Sequence, residues 1–300
     1  MSEALEAAAR RCSDLSTEGD EPLAGTAPEH GAWLMLEHGL PWGRDALAES
    51  RLAAGVASEL AARAKEAFVK VVLVRPALRA PSVPPRRAFA AHAGAGLLAE
   101  LPLESDEDLL SVDLAALARG DAPAGARPVA GRMTLVCTNG RRDACCAFHG
   151  RRAAVALATV RPEETWECTH IGGHRFAATL VSFPEGACFG RLDEAAAPRV
   201  VERLHRGELD LGHLRGFVGR RAAVQAAEAL VREREGLTGL RDVAGGVVVP
   251  GPIPATVEVR LDAGGREHRL VLREEHGDPR VVSCGGEPEP QTVWHELRSW

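Results

Sequence analysis

Apolar and polar positions change their spacing along the chain. Helical spacing over residues 1–20 runs into a polar turn, and the apolar run 32–37 reads as a short strand. After a turn at Pro41-Trp42-Gly43, a helical period covers 45–65. Residues 69–74 are continuously apolar apart from Lys70, as in a buried strand, and a weaker strand signal lies at 88–91. The stretch 75–87, rich in proline and arginine, predicts a surface loop. A further helix is expected over 101–117, with Asp106 and Asp108 near its start. The run Gly120-Asp-Ala-Pro-Ala-Gly-Ala-Arg-Pro128 then breaks the pattern, and we place a domain boundary there.

A second unit opens with a strand at 133–136 that delivers Cys137 at its C-terminal end. A helix is expected over 150–160, then strands at 165–168 and 176–183, a turn at Pro184-Glu-Gly186, and a return strand at 187–192. Helices over 194–206 and 220–235 complete it. The order β-α-β-β-β-α, with candidate ligands at strand ends, fits a small thioredoxin-like α/β sandwich. From 243 onward, strand-period alternation at 247–249, 256–261, 268–272 and 280–283 predicts a small antiparallel sheet. The fold class is therefore α/β, with expected domains at 1–128 (α/β), 129–240 (thioredoxin-like) and 241–300 (a β-rich extension).

Composition narrows the function classes. A net charge of -6 gives no reason to expect nucleic acid or an anionic membrane as partner. Lys65 and Lys70 are the only lysines, and tyrosine is absent, which reads as codon bias from a GC-rich bacterial genome. The seven cysteines are odd in number and clustered mid-chain, unlike a secreted disulfide framework. The N-terminus lacks the apolar segment of a signal peptide, and no uncharged apolar run approaches the roughly 20 residues that span a bilayer. The expected compartment is a reducing cytoplasm, where clustered cysteines point to metal or catalysis.

The chemistry concentrates in two short motifs. Cys137-Thr-Asn-Gly-Arg-Arg-Asp-Ala-Cys-Cys146 carries thiols at both ends. Trp166-Glu-Cys-Thr-His-Ile-Gly-Gly-His174-Arg-Phe presents His170 and His174 around a glycine pair that lets the backbone turn sharply. Two thiolates and two imidazoles, separated by one helix-sized segment, suit a Cys2His2 metal centre or a His-ligated [2Fe–2S] cluster. Adjacent side chains in an extended segment point opposite ways, so one of Cys145 and Cys146 faces the metal.

These two strings resemble the signature of the sucrase/ferredoxin-like family. Phe183-Pro-Glu-Gly-Ala-Cys-Phe-Gly-Arg191, Gly216, the Gln225-Ala-Ala-Glu228 helix, Leu23-Ala-Gly-Thr-Ala-Pro28 and Leu36-Glu-His-Gly-Leu-Pro-Trp-Gly43 add to the likeness, which covers most of 10–240. The resemblance implies a thioredoxin-like ferredoxin domain whose [2Fe–2S] cluster is held by Cys137, Cys146, His170 and His174. It leaves Cys145 as the neighbour. Cys168, two residues before His170 on an expected strand, reads as core packing and is the most plausible substitute ligand. No carboxylate pair stands out to support glycosidase chemistry.

Arg141, Arg142 and Asp143 are read either as a solvated turn or as groups that tune the cluster and orient a histidine, and Glu167 has a weaker case of the same kind. Cys146-Ala-Phe-His-Gly-Arg-Arg152 also matches Cys-x5-Arg, a phosphate-cradle pattern. The expected function is single-electron transfer to or from a redox partner protein, the protein being a carrier more than a stand-alone enzyme. The alternatives are a zinc-binding structural module on the same four residues and a thiol enzyme, phosphatase or oxidoreductase, using Cys146.

Overall fold

The structure is a computed structural model and describes residues 10–39, 41–78 and 86–299. The first half contains α1 (Cys12–Glu18), β1 (Ala32–Glu37), α2 (Val56–Glu66), β2 (Val69–Pro76), β3 (Ala88–His92), β4 (Leu97–Leu101), α3 (Leu114–Ala118) and β5 (Arg127–Pro128). The second contains β6 (Met133–Cys137), α4 (Arg151–Val160), β7 (Thr165–Cys168), β8 (Leu180–Phe183), β9 (Ala187–Phe189), α5 (Ala196–His205), β10 (Leu214–Phe217) and α6 (Ala222–Glu235). The chain ends in β11 (Val243–Pro250), β12 (Thr256–Ala263), β13 (Arg266–Val281) and β14 (Pro288–Ser299).

Strands β1–β10 form one mixed sheet in the order β10-β9-β8-β6-β7-β2-β1-β3-β4-β5, and β11–β14 form a separate antiparallel sheet. The large sheet has an internal symmetry. In each half the first strand is followed by a helix and a parallel second strand (β1 and β2, β6 and β7), and two antiparallel strands extend from the first strand's other side. The halves meet where β2 and β7 pair antiparallel, Val74 opposite Cys168 and Pro76 opposite Trp166. The domain break expected at 128 thus falls in the link between β5 and β6, while hydrogen bonding continues from one half to the other.

Both first strands are buried along their length, and they read as mainly apolar runs, with Thr134 inside β6 and Glu37 at the end of β1. Ala32, Leu34 and Leu36 pack under α2 and α3 with Leu60, Leu109 and Leu117. Val136 and Leu180 pack under α4 and α5 with Leu157, Val200 and Leu204. The opposite face forms one core shared by both halves, containing Trp33, Met35, Phe89, Leu135, Trp166 and Phe183. Cys137 and Cys146 lie within it. The second sheet packs Val243, Val259, Leu261, Leu270 and Leu272 against Ala223, Val224, Ala227 and Val231 of α6. Buried Arg232 holds the end of α6, donating to Glu228 at 2.9 Å and to the Gly239 carbonyl at 2.8 Å.

Several boundaries differ from the sequence reading. The helix expected over 45–65 starts only at Val56, because Gly55 before it has φ +82°. The helix expected over 101–117 is divided into the end of β4, a 3-10 turn at Asp106–Ser111 and α3. A capping box between Ser105 and Asp108 restarts the chain there. The strand expected over 176–183 begins at Leu180, since His174–Phe176 continue the glycine turn as a 3-10 helix. Only Arg280 and Val281 of the expected strand at 280–283 are in a strand, at the end of the long β13, and the fourth strand of the small sheet is β14, which is too exposed to show a one-sided apolar pattern. Residues 1–9 of the first predicted helix and 79–85 of the predicted loop lie outside the described residues.

Candidate metal centre

Side-chain alternation in β6 sends Val136 to the helical face and Cys137 to the shared core. The chain then leaves the sheet and turns through Asn139, whose carbonyl accepts from the N–H groups of Arg142 and Asp143. The Asn139 side chain donates to the Gly43 carbonyl at 3.2 Å and so pins the loop to the first half. A helical segment follows, and its Cys146–Gly150 stretch is a π-helical turn that runs directly into α4. Such turns widen a helix locally and are frequent at functional sites.

This geometry separates the adjacent cysteines. Cys146 faces Cys137, whereas Cys145 packs with Cys12 and Cys284. Successive helical residues diverge by about 100° rather than the 180° of an extended strand, but the outcome for the pair is the same. Ligand atoms of Cys137, Cys146 and His170 lie within 4.8 Å of one another. His174 stands beside His170, with ring centroids 5.0 Å apart.

The two motif thiols are almost inaccessible, each 1% exposed, and the imidazoles are half-buried. The Cys146 thiol donates to the Cys137 sulfur, and His170 also bonds to it. Together these outweigh burial and hold Cys137 well below the ordinary thiol value. The same shared proton, with burial, pushes Cys146 up. Burial lowers the pKa of His174, partly offset by Asp143, whose Oδ2 is 3.7 Å from His174 Nε2. Asp143 would itself be raised by burial, but N–H groups of Cys284 and Cys145 and the nearby His174 bring it down.

Buried ring nitrogens of both histidines lack hydrogen-bond partners: Nδ1 of His170, and Nδ1 and Nε2 of His174. A buried polar atom without a partner costs about 1–3 kcal/mol, and a metal bond removes that cost. The donor set and its unsatisfied nitrogens therefore fit a bound metal group.

The surrounding candidates behave differently from one another. Arg141 and Arg142 are exposed, whereas Asp143 is buried. Glu167 is buried and accepts from Thr138 Oγ1 at 2.9 Å and from Arg75 Nε at 3.1 Å, tying the residue after Cys137 to β2. Cys168 sits in the shared core, its thiol raised by burial. Arg152 turns to Glu194 and the Phe148 ring while Cys146 turns inward, so the Cys-x5-Arg pair does not close into a cradle.

Sequence reasoning passed over Arg215, which is fully buried. It donates to the Gly172 carbonyl at 3.0 Å and to Thr26 Oγ1 at 3.0 Å, locking the histidine turn to the N-terminal segment. A Cβ on Gly173, which has φ +72°, would lie 2.3 Å from that guanidinium, so glycine is needed twice over. Also passed over was a second group, in which Cys12 and Cys284 join Asp143 and Cys145 from too far away in sequence for any spacing rule to find them.

A family model described as sucrase/ferredoxin-like matches residues 23–216. The chain belongs to the sucrase/ferredoxin-like family. No curated protein and no solved structure matches the chain significantly. The sucrase/ferredoxin-like match contains both motifs and all four residues expected to form the centre, and it stops short of β11–β14. No helix among the described residues is long and apolar enough to cross a membrane.

Proposed function

We propose that this sucrase/ferredoxin-like protein is a cytoplasmic electron carrier. It holds a [2Fe–2S] cluster through Cys137, Cys146, His170 and His174. When bound, the cluster supplies a one-electron redox couple, and imidazole ligands raise its potential relative to an all-thiolate site. The observation that carries this reading is the convergence of two buried thiols with His170, with His174 beside it, each imidazole keeping a buried ring nitrogen that has no hydrogen-bond partner. The strand order β9-β8-β6-β7, with β6 and β7 joined in parallel through α4, supports a thioredoxin-like layout for residues 129–240.

The protein residues divide the work. Trp33, Trp166 and Ile171 line the core on the thiol side and keep water from it. His170 borders a cleft of about 210 Å³ lined also by Arg44, Asn139, Arg142 and Thr169. That is the side on which a redox partner approaches; Asp45 also lines it, and the two arginines leave the cleft net positive, which favours a partner with an acidic contact surface.

Protein purified without oxygen is expected to be red-brown, to hold about two irons and two sulfides per chain, and to give a reduced-state EPR signal. Colourless protein with zinc alone would overturn the electron-transfer reading. It would instead favour a closed tetrahedral module, to which the grouping of Cys137, Cys146 and His170 within 4.8 Å also lends itself.

A further inference from the structure

The second group of thiols gathers the molecule's most distant parts. Cys12 lies on α1, Cys145 in the motif loop and Cys284 in the turn after β13. Their sulfurs are 3.5 Å apart for Cys12 and Cys145, 3.2 Å for Cys145 and Cys284, and 3.7 Å for Cys12 and Cys284. The Asp143 carboxylate completes the group at 3.8 and 3.9 Å from the Cys12 sulfur. Cys12 and Cys145 are wholly buried and Asp143 nearly so.

These separations discriminate between possible chemistries. A disulfide needs sulfurs about 2.05 Å apart, and all three cysteines are free. Tetrahedral zinc with bonds of about 2.3 Å sets its sulfurs about 3.8 Å apart, close to the spacing seen. The four ligand atoms lie within 4.8 Å of one another, close enough to share one ion. Donors already fix the carboxylate: Cys145 N–H to Oδ1 at 2.9 Å, and Cys284 N–H and Ser283 Oγ to Oδ2 at 2.8 and 3.0 Å. Ser13 Oγ donates to the Cys145 sulfur at 3.2 Å. Ligands oriented by such outer contacts are characteristic of metal sites.

We propose that Cys12, Cys145, Cys284 and Asp143 bind one structural zinc ion in a closed site, distinct from the Cys137–His174 centre. Zinc entry displaces the remaining thiol protons to solvent, with no change of oxidation state. The ion staples α1 and the small sheet to the loop that carries Cys146. Cys12 and Cys284 lie outside the family-matched residues 23–216. The inference does not depend on what occupies the first centre.

The test is metal analysis and native mass spectrometry of the full chain, with zinc affinity read by competition against a chromophoric chelator. Wild type is expected to hold about one zinc, and Cys12→Ser and Cys284→Ser each to fall below about 0.2, while iron content and visible absorption persist. Cys137→Ser should lose iron and keep zinc, and Cys188→Ala should keep zinc. Cys284→Ser changes a half-buried turn, so it tests the site even if Cys12→Ser does not fold. Four outcomes would overturn the proposal: wild type that neither contains nor takes up zinc, unchanged zinc in both variants, loss of iron together with zinc in both, or a mass two daltons low that marks a disulfide in this group.

Discussion

Gly150 sets the approach of α4 to the strand that carries Cys137. A Cβ at this position would lie 2.0 Å from the Cys137 carbonyl oxygen, an obstacle of rigid backbone. Glycine inside a helical segment ordinarily costs about 0.5–1 kcal/mol relative to alanine, so propensity alone predicts that Gly150→Ala stabilises. The overlap decides the sign the other way. Gly150→Ala should destabilise by about 1–3 kcal/mol in urea unfolding and lower the metal content of the first centre. A more stable variant with full metal content would contradict the packing argument. The neighbouring cysteines offer a sharper contrast. Cys146→Ser should reduce iron to below about a tenth of wild type, since even an outer contact of a metal site costs 10–100-fold. Cys145→Ser should spare iron and remove zinc. Parallel metal assays on the two variants check this, and equal iron loss would erase the distinction between them.

Among the elements, α5 shows how a short polar side chain sets a helix start. Asp193 Oδ1 accepts from the N–H groups of Ala195 and Ala196 at 2.9 and 2.6 Å. The Ala196 N–H is the main reason its carboxyl lies below the usual range. A carboxyl depressed in the folded state adds stability that is present above its unfolded pKa and is lost as pH falls through the folded value. Asp193→Ala should therefore cost about 1 kcal/mol near neutral pH. The gap between variant and wild type should close in acid, below the folded value. Denaturant midpoints measured across the acid range test both sign and window, and a gap that persists unchanged in acid would rule out the cap.

For the whole molecule, the decisive feature is the seam between β2 and β7. It makes one sheet of two halves with the same strand connectivity. Arg75 and Glu167 reinforce it from opposite sides, and Glu167 also holds Thr138, next to Cys137. Glu167→Gln weakens a charge-assisted bond to a partly exposed arginine and should cost about 1.5–3 kcal/mol. Because the sheet is continuous, the loss should appear as one earlier unfolding transition, monitored by far-ultraviolet circular dichroism and tryptophan fluorescence. Two separated transitions would mean that the halves fold independently.

Local pattern determined much of this protein. The mainly apolar runs of β1 and β6, the helices α4, α5 and α6, and the two motifs that carry Cys137, Cys146, His170 and His174 were legible because each depends on neighbours a few residues away. Tertiary structure decided what depends on remote partners. Strand β14 carries too little one-sided burial to announce itself. The two-residue β5 and the four-residue β10 exist through their pairing with β4 and β9. Arg215 acquires its role from Thr26 and Gly172, far away in sequence. The gathering of Cys12, Cys145 and Cys284 has the same origin: their sulfurs meet because β13 returns the chain to α1 and the motif loop, a long-range closure that no spacing of residues encodes.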